Sequence, residues 1–523
     1  MKWDKFSART SLLFVPTLAS AVLVFWNLPT LGLSYWDEYN YIVTARWFLG
    51  IRGNVFHTYE GPVFPFFMSL LFRVFGVQDY VAIATSSLFA VMTVALLTMA
   101  GKKMFDTKVA LIAPTLLTFT ALFLIFSRLA MTDMAFTFFF TAANLAAYLA
   151  LSRRKLADAI LAGVLYAACT GVKYSGLLAL LVPLAYALLL VLYAEKGQRL
   201  REGLRYLRAV LIMIIPNVLA GLLFLAFLGV GGSVRQLFSR HGLRQLTLGL
   251  PATLRNGYEK FLAIGWGLHS SQLNVVPLHA APYYVQVLVT WDSVPVLILA
   301  IIGILTINTK SRSEIFTLVW AAVIFTALSS VTAYAREILP ILPPLSILAA
   351  LGLAKLPGVV QFTIKTLKPS GARLSVNGRL FLAVVVLALV LGSSAIQVVQ
   401  TISVKHDAYR EAGQLLREIA GNSVVLADTQ LIIAYYYPVR FGNITASEIA
   451  NVQYVIVDYQ AVTHGNEAAL ISLQQQHRIE LVASIHNDLY PIIYLDVTNF
   501  QHLQTWNYTD ITIYRVVNAT ANP

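Results

Sequence analysis

Long apolar stretches recur along the first 400 residues of the chain and alternate with short polar segments. A helix needs about 20 mostly apolar residues to cross a hydrocarbon layer that is about 30 Å thick. The predicted spans are 11–31, 79–100, 108–126, 133–151, 156–172, 175–194, 207–229, 291–308, 313–331, 337–355 and 380–400. The pattern therefore predicts an α-helical polytopic membrane protein with about eleven transmembrane helices.

The pattern of apolar positions changes after residue 401. His406–Ala420 and Glu467–His477 have helical periodicity, whereas Ser423–Ala427, Tyr454–Asp458 and Ile511–Val517 are short β-branched runs typical of strands. The chain is thus predicted to consist of a transmembrane module, 1–401, and a soluble α/β domain, 402–523. The second part has about 120 residues, which is an ordinary size for a single hydrophobic core.

Two segments between spans, 32–78 and 230–290, are too long to be simple turns. The first contains an amphipathic stretch, Trp36–Leu49, and an apolar run, Phe64–Phe75. Because that run is too short to cross a membrane, it is predicted to lie as a helix at the interface. Segment 230–290 carries basic residues among aromatic ones. Long structured loops on one side of a membrane predict a functional site at that face.

Composition narrows the class of protein. Apolar residues make up 58% of the chain and charged residues only 12%, whereas soluble domains carry about 25% charged residues. A soluble globular enzyme is therefore excluded. The single cysteine, Cys169, excludes an intramolecular disulfide. The net charge of +13 is unevenly distributed, with a basic transmembrane module and an acidic tail, so we expect membrane lipids and no nucleic acid as partners.

Basic residues also predict the orientation of the chain in the membrane. Lys and Arg concentrate in alternate loops, for example at 153–155 and 196–208, and basic loops are usually cytoplasmic. The N-terminal apolar run continues past a candidate cleavage site at Ala19–Ala21, so it is interpreted as a retained anchor. We therefore predict a multi-pass cell-membrane protein with a cytoplasmic N-terminus, external loops 32–78 and 230–290, and an extracytoplasmic C-terminal domain.

Three acids lie where the predicted spans begin or end. Asp37 and Glu38 follow the first span directly, and Asp133 stands where the third span turns into the fourth. A charge at membrane depth is costly, so each is a candidate functional residue. The structural alternatives are that Asp37 or Asp133 caps a helix, or that Asp133 pairs with Arg128.

Four motifs occur in a characteristic order. They are Trp-Asp-Glu-x-x-Tyr-x-x-x-Ala-Arg from Trp36, Ser-Arg-Leu-Ala-Met-Thr-Asp-Met-Ala-Phe from Ser127, Thr-Gly-Val-Lys-Tyr-Ser-Gly from Thr170, and Arg-Glu-Ile-Leu-Pro-Ile-Leu-Pro-Pro from Arg336. Over residues 11–400 the chain resembles the GT-C membrane glycosyltransferases, in particular the protein O-mannosyltransferase and aminoarabinose-transferase-like branch, the dolichyl-phosphate-mannose-protein mannosyltransferase family. The resemblance implies a polyprenyl-phosphate-linked sugar donor and an acceptor glycosylated at the external face.

One departure from that branch bears on the sugar. Aminoarabinose transferases have a Glu-Lys-Pro-Pro-like stretch before the second span, whereas this chain reads Tyr-Glu-Gly-Pro-Val over 59–63. The lysine that would face the lipid phosphate is absent, which argues against aminoarabinose specificity. The acceptor, whether a protein, a lipid-linked molecule or a glycan, is left open.

The proposed chemistry assigns roles to the acids. Asp37 is predicted to be the general base that activates an acceptor hydroxyl, because a phosphate leaving group needs no general acid. Glu38 would orient the donor or the acceptor from another side of the same helix. Asp133 would bind the sugar hydroxyls or, together with Asp37, hold a divalent cation, Mg or Mn.

Negative charge develops on the phosphate as it leaves, and positioned cations are needed to stabilise it. Arg336 is the first candidate for the donor phosphate, because its planar fork can bind two oxygens, and Lys173 is the second. The alternative for both is interfacial snorkelling. Further substrate-binding candidates are His57, Glu60, Arg128, His279, Tyr283 and Tyr284.

Two other classes of function compete with an enzyme. A secondary transporter, or a flippase of a polar or lipid-linked substrate, would also have many spans with charged residues, but carriers often show internal repeats and keep their charges near the midplane. This chain shows no internal repeat, and its notable acids map to one face. A structural membrane subunit would leave the acids at two span junctions unexplained. The pattern favours a glycosyltransferase.

Overall fold

The computed structural model describes residues 11–57, 61–229, 249–269, 278–291, 294–330, 334–367, 376–405, 407–427, 432–442, 444–458, 467–476, 478–487 and 510–517. Helices dominate these residues up to Ser403. They are α1 (Val15–Phe25), α2 (Trp36–Phe48), α3 (Val63–Phe75), α4 (Asp79–Met104), α5 (Thr107–Thr118), α6 (Ala121–Ser127), α7 (Asp133–Arg153), α8 (Leu156–Val172), α9 (Leu181–Leu192), α10 (Arg199–Gly229), α11 (Leu250–His269), α12 (Ala281–Trp291), α13 (Val294–Leu305), α14 (Arg312–Ser329), α15 (Leu342–Leu367) and α16 (Val376–Ser403). Short 3₁₀ segments occupy Leu12–Phe14, Leu28–Thr30, Tyr174–Leu180, Lys196–Gln198 and Ala335–Ile341.

Each of the eleven predicted spans overlaps a helix. Among the described residues, 8 helical stretches are long and apolar enough to cross a membrane, or up to 9 if one bent pair counts as a single span. The bent pair is α5 and α6, which meet at 66°. Because α8 and α13 are apolar but shorter, with 17 and 12 residues, the number eleven stays a prediction. The predicted class, a mostly helical membrane protein, is confirmed.

The bend between α5 and α6 has a local cause. Thr120 has an extended backbone, with φ −77° and ψ 120°, so the helix cannot continue through it. The hydroxyl of Thr120 donates to the carbonyl of Leu116 instead, which satisfies one of the carbonyl groups that the broken helix leaves open.

The segment between the first two spans folds into helices α2 and α3. Helix α2 covers most of the amphipathic stretch Trp36–Leu49, and its residues 37–45 are buried except for the half-buried Tyr39. Helix α2 packs against α3 on one side and against the tail helix Ile432–Tyr436 on another. Because α2 is packed on several sides, its position is fixed more tightly than that of a helix lying at a membrane surface.

The tail forms the small α/β domain that the sequence predicts. Its helices are α17 (Ala408–Ile419), α18 (Ile432–Tyr436), α19 (Ala446–Ile449) and α20 (Glu467–Gln475), and its strands are β1 (Val425–Ala427), β2 (Arg440–Phe441), β3 (Tyr454–Val457), β4 (Ile479–Ile485) and β5 (Ile511–Val516). The strand order is β2-β1-β3-β5-β4. Strand β1 is parallel to β2 and β3, whereas β5 is antiparallel to β3 and β4. Strands β2 and β4 were not predicted, since β2 has only two residues and β4 has mostly exposed positions.

The tail and the transmembrane module share a hydrophobic core. One cluster of buried side chains extends from Val24 in α1 to Tyr409, Tyr436 and Ile513 in the tail. A second, smaller cluster, which includes Leu426, lies within the tail. The tail therefore packs on the module around the loop that follows α1.

Candidate active site

Five charged side chains of the transmembrane module meet in one cluster. Asp37 lies in the first turn of α2, and Asp133 opens α7. Lys173 follows the last residue of α8, and Arg336 and Glu337 belong to the 3₁₀ segment Ala335–Ile341. We call these five residues the charge cluster. An acid in the first helical turn is stabilised by the positive end of the helix dipole, typically by about 0.3–1 kcal/mol.

Two ion-pair systems connect the charge cluster. Nη1 of Arg336 donates to Oδ2 of Asp37 at 2.9 Å. Nζ of Lys173 donates to Oδ1 of Asp133 at 2.7 Å and to Oε1 of Glu337 at 2.9 Å. Since Arg336 and Glu337 are adjacent in sequence, the two systems join. The cluster thus contains three carboxylates and two cations, most of them shielded from water.

The helix-cap alternative for the two aspartates is excluded. The N-cap residue of α2 is Tyr35 and that of α7 is Thr132. Asp37 is 3% exposed and Asp133 is 1% exposed, and each points its carboxylate at a cation from a distant part of the chain. Burying two acids in this way is costly unless they are paired.

Two buried polar atoms of the charge cluster lack a hydrogen-bond partner among the described residues. They are Oδ2 of Asp133 and Nε of Arg336. Nearly all buried polar atoms in proteins are hydrogen-bonded, so such exceptions need a reason. A carboxylate oxygen and a guanidinium nitrogen in one cluster suit a ligand that carries both a donor and an anionic acceptor, such as a sugar phosphate.

The electrostatics of Asp37 suit a base. Burial raises its pKa above the ordinary value, and the cations Arg336 and Lys173 oppose the increase. A carboxylate with a raised pKa is a stronger base than an exposed aspartate, and a cation beside it favours the ionised form. Aromatic rings surround the partner, because the guanidinium carbon of Arg336 lies 5.2 Å from the ring centroid of Tyr35 and 5.7 Å from that of Tyr334.

Close packing of glycines fixes the turn that carries Lys173. A Cβ on Gly61 would lie 2.0 Å from the carbonyl oxygen of Gly171, and one on Gly176 would lie 2.6 Å from the backbone nitrogen of Thr170. Neither position has room for a side chain. Gly176 of the Thr-Gly-Val-Lys-Tyr-Ser-Gly motif, and Gly61, which packs on Gly171 of that motif, therefore allow the close packing that places Lys173.

Glu38 binds backbone N–H groups through both carboxylate oxygens, and its predicted role in orienting a substrate stays a prediction. Its Oε2 accepts hydrogen bonds from the backbone N–H groups of Ser34 at 2.6 Å and Tyr35 at 2.7 Å. Its Oε1 accepts from the N–H of Ala130 at 2.6 Å. Burial raises the pKa of Glu38 to about 7. Glu38 holds the segment before Asp37 against the segment before Asp133.

Arg128 binds the backbone at the end of α1. Its Nη1 donates to the carbonyl oxygens of Leu23 at 3.1 Å and Trp26 at 2.7 Å, at the end of α1. A cation there satisfies carbonyl groups that a helix C-terminus leaves open. The substrate contact of Arg128 and its alternative pairing with Asp133 stay predictions.

The remaining substrate-binding candidates stay predictions. The backbone N–H of His57 donates to the hydroxyl of Thr44 at 3.2 Å, and burial lowers the pKa of the imidazole. His279 is exposed, and the rings of Tyr283 and Tyr284 have centroids 5.6 Å apart. Glu60 and most of the loop 230–277 lie outside the described residues.

The divalent cation, Mg or Mn, stays a prediction. Among the described residues, no three His, Cys, Asp or Glu side chains form a group that could hold a metal. Arg336 and Lys173 already neutralise Asp37 and Asp133.

Glu337 is the member of the cluster that the sequence interpretation did not select. It stands beside Arg336 in the motif Arg-Glu-Ile-Leu-Pro, and this adjacency was the available signal. Sequence alone does not indicate that Lys173, 164 residues earlier, turns towards it.

Comparisons with known proteins agree with the motifs. Residues 59–220 match the family model of dolichyl-phosphate-mannose-protein mannosyltransferases. No curated protein matches the chain in sequence. The similar solved structures include ArnT from Cupriavidus metallidurans in the apo state, with 12% identity, a TM-score of 0.62, and 99% of this chain and 100% of that chain covered.

Two further structures have the same fold. ArnT from Cupriavidus metallidurans bound to undecaprenyl phosphate has 14% identity and a TM-score of 0.54, with 98% of this chain and 99% of that chain covered. The archaeal oligosaccharyltransferase AglB from Archaeoglobus fulgidus, in complex with an inhibitory peptide and a dolichol-phosphate, has 16% identity and a TM-score of 0.58, with 90% of this chain and 71% of that chain covered. The matched segment and the shared fold confirm the resemblance to the GT-C membrane glycosyltransferases.

Proposed function

We propose that the protein transfers a sugar from a polyprenyl-phosphate-linked donor to an acceptor at the external face of the membrane. The charge cluster is the observation on which this proposal rests. In it, the buried carboxylate of Asp37 lies in contact with the guanidinium of Arg336, and both residues stand near the start of a helical segment. The similar structures named above support the donor class, since one contains undecaprenyl phosphate and another a dolichol-phosphate.

Asp37 acts as the general base in the proposed reaction. The acceptor hydroxyl attacks the anomeric carbon of the sugar, and its proton passes to the carboxylate of Asp37. The bond between the anomeric carbon and the phosphate oxygen breaks, and the polyprenyl phosphate leaves with the bonding electrons. A single displacement of this kind inverts the anomeric configuration. A base of this type typically contributes a factor of about 10²–10⁴ in rate.

Arg336 has two tasks in this reaction. In the absence of substrate it holds Asp37 through Nη1, which keeps the carboxylate ionised. As the phosphate leaves, its negative charge increases, and the partly buried guanidinium stabilises that charge more than it stabilises the bound donor. The unpartnered Nε of Arg336 offers a further donor for this contact.

Asp133, Lys173 and Glu337 are proposed to hold the sugar. Lys173 fixes Asp133 through Oδ1, which leaves the buried Oδ2 to accept a hydrogen bond from a sugar hydroxyl. Lys173 also donates a hydrogen bond to Glu337, which restricts the position of the lysine further. An arrangement that is already ordered before the substrate arrives loses little free energy on binding.

The test uses the purified full-length protein and a panel of radiolabelled polyprenyl phosphates that carry mannose, glucose, N-acetylglucosamine or arabinose. Each donor is incubated with protein and a membrane extract, and covalently labelled protein, lipid and glycan fractions are separated. We expect label in one fraction and its loss in Asp37→Asn by about 10²–10⁴-fold. Asp510→Asn, the same change at an acid of the tail that pairs with His486, is the matched control.

Three outcomes are informative. The labelled fraction identifies the acceptor as protein, lipid-linked molecule or glycan. Movement of a donor across vesicles without any covalent product would indicate a flippase instead. Near-normal transfer by a folded Asp37→Asn protein would contradict the role of the base.

A further inference from the structure

The tail contacts the transmembrane module through a buried acid. Asp79 is the first residue of α4 and is 6% exposed. Its Oδ2 accepts hydrogen bonds from Nη2 of Arg410 at 2.8 Å and from Nε of Arg410 at 3.1 Å. The hydroxyl of Tyr436 donates to the same oxygen at 2.7 Å. Three donors from the tail thus converge on one carboxylate oxygen of the module.

The same two tail residues hold the backbone of the loop before Asp37. Nη2 of Arg410 donates to the carbonyl of Leu31 at 2.5 Å. The hydroxyl oxygen of Tyr436 accepts the N–H of Leu33 at 2.9 Å. Both leucines are 0% exposed, so water cannot replace these partners without a rearrangement. The backbone polar groups of this loop depend on side chains of the tail.

This loop, residues 31–35, contains no helix or strand. Two sets of side-chain contacts therefore fix its course: Glu38 binds the N–H groups of Ser34 and Tyr35 from one side, and the tail binds Leu31 and Leu33 from the other. Asp37 lies two residues after the loop. A displacement of the loop moves the start of α2 and, with it, the carboxylate that Arg336 contacts.

The far end of α2 has a similar contact. The guanidinium carbon of Arg46 lies 5.0 Å from the ring centroid of Tyr435, the residue before Tyr436. The tail therefore contacts α2 near its C-terminal end and also contacts the loop that precedes its N-terminal end. Tight placement matters because catalytic efficiency falls steeply when reacting groups are displaced by about 1 Å.

We propose that Arg410 and Tyr436 are positioning residues, through which the C-terminal domain holds loop 31–35 and thereby keeps Asp37 in its catalytic position. This inference rests on the proposed function, and it gives the tail a role in the reaction rather than only an attachment to the membrane part. Asp79 is the anchor that orients both side chains.

The first test measures how strongly the tail restrains loop 31–35, and it does not depend on activity. Tyr436→Phe removes one hydroxyl and leaves the ring, so the protein is expected to fold, but the N–H of Leu33 and the carboxylate of Asp79 lose a partner. Hydrogen exchange of the peptide that covers 31–38 should accelerate roughly tenfold. Arg410→Gln should give the same result. Arg515→Gln, which breaks an exposed ion pair with Glu480 in the tail, is the matched control and should leave that peptide unchanged.

The second test measures whether the contacts of Arg410 and Tyr436 with the loop contribute to catalysis. With the panel donor that the wild type uses, Tyr436→Phe and Arg410→Gln should lower kcat by about 10–100-fold. The KM for the donor should change less than about twofold, because a misplaced base affects chemistry more than ground-state binding. A residue that only stabilises the fold would lower the amount of active protein and the melting temperature without changing kcat per folded molecule.

The outcomes separate this inference from the proposed function. Unchanged exchange of 31–38 in both variants overturns the hold of the tail on the loop, whatever the activity. Accelerated exchange with a wild-type kcat overturns its catalytic use. A wild-type protein that transfers no panel sugar contradicts the proposed function instead, and it does so independently of the exchange data.

Discussion

Replacement of Arg336 by lysine tests the electrostatics of the site most directly. The guanidinium donates to Oδ2 of Asp37 through Nη1 at 2.9 Å, and its carbon lies between the rings of Tyr35 and Tyr334. Lysine keeps the charge but is a point donor that cannot form a planar fork or stack in the same way. Arg336→Lys therefore separates the contribution of the positive charge to catalysis from the contribution of the planar, stacked guanidinium.

The size of the effect follows from these contacts. Loss of two cation–π contacts at a shielded site costs about 1–4 kcal/mol, since each is worth about 0.5–2 kcal/mol. Because about 1.4 kcal/mol corresponds to a factor of ten, kcat/KM of Arg336→Lys should fall by about 5- to 700-fold. Arg336→Ala breaks a buried ion pair, which typically costs 3–5 kcal/mol, and should lose about 10³-fold or more.

The pH profile gives an independent readout. Asp37 must be deprotonated to act as a base, so activity falls as the pH decreases through its pKa. Burial raises that pKa and Arg336 lowers it. Removing the cation in Arg336→Gln should therefore raise the pKa of Asp37 further and move the acid limb of kcat/KM to higher pH, whereas Arg336→Lys should move it less.

The assay is initial-rate transfer from the identified polyprenyl-phospho-sugar, measured over donor concentration and pH in detergent or nanodiscs. Lys310→Arg is a control for the exchange of lysine and arginine, because Lys310 lies in a segment predicted to be cytoplasmic and therefore away from the charge cluster. Wild-type constants for Arg336→Lys, or an unmoved acid limb in Arg336→Gln, would refute the assignment of Arg336 to the donor phosphate and to the control of Asp37.

Three further predictions concern packing, sugar binding and topology. Gly61→Ala should destabilise the protein by about 2 kcal/mol or more, seen as a lower melting temperature, because its Cβ would lie 2.0 Å from the carbonyl oxygen of Gly171, whereas Gly392→Ala meets nothing within 4 Å and should be neutral. Asp133→Asn should raise the donor KM and lower kcat, since the amide weakens the contact with Lys173; unchanged kinetics would remove Asp133 from the sugar site. In a Cys169→Ala background, Ser472→Cys should react with an impermeant thiol reagent in intact cells and Leu200→Cys should not; the reverse labelling would put the charge cluster on the cytoplasmic side.

Local features of this protein could be derived from its sequence because they depend on neighbouring residues. The lengths of the apolar runs predicted where helices lie, since burial in hydrocarbon requires a continuous apolar segment. The β-branched runs at 454–457 and 511–516 predicted strands of the tail sheet. Acids beside span ends drew attention to Asp37 and Asp133, because a charge there is costly.

Only the tertiary structure decided which charged groups meet. Glu38 and Arg128 have the same sequence signal as Asp37 and Asp133, yet they satisfy backbone groups of the loop and of α1. The partners of the two aspartates of the charge cluster come from other segments of the chain: Arg336 is 299 residues away from Asp37, and Lys173 is 40 residues away from Asp133. The tail contact between Arg410 and Asp79 spans 331 residues. Periodicity describes one element at a time, whereas these pairings depend on how separate elements pack, and that packing determines whether a buried charge faces a ligand or the backbone.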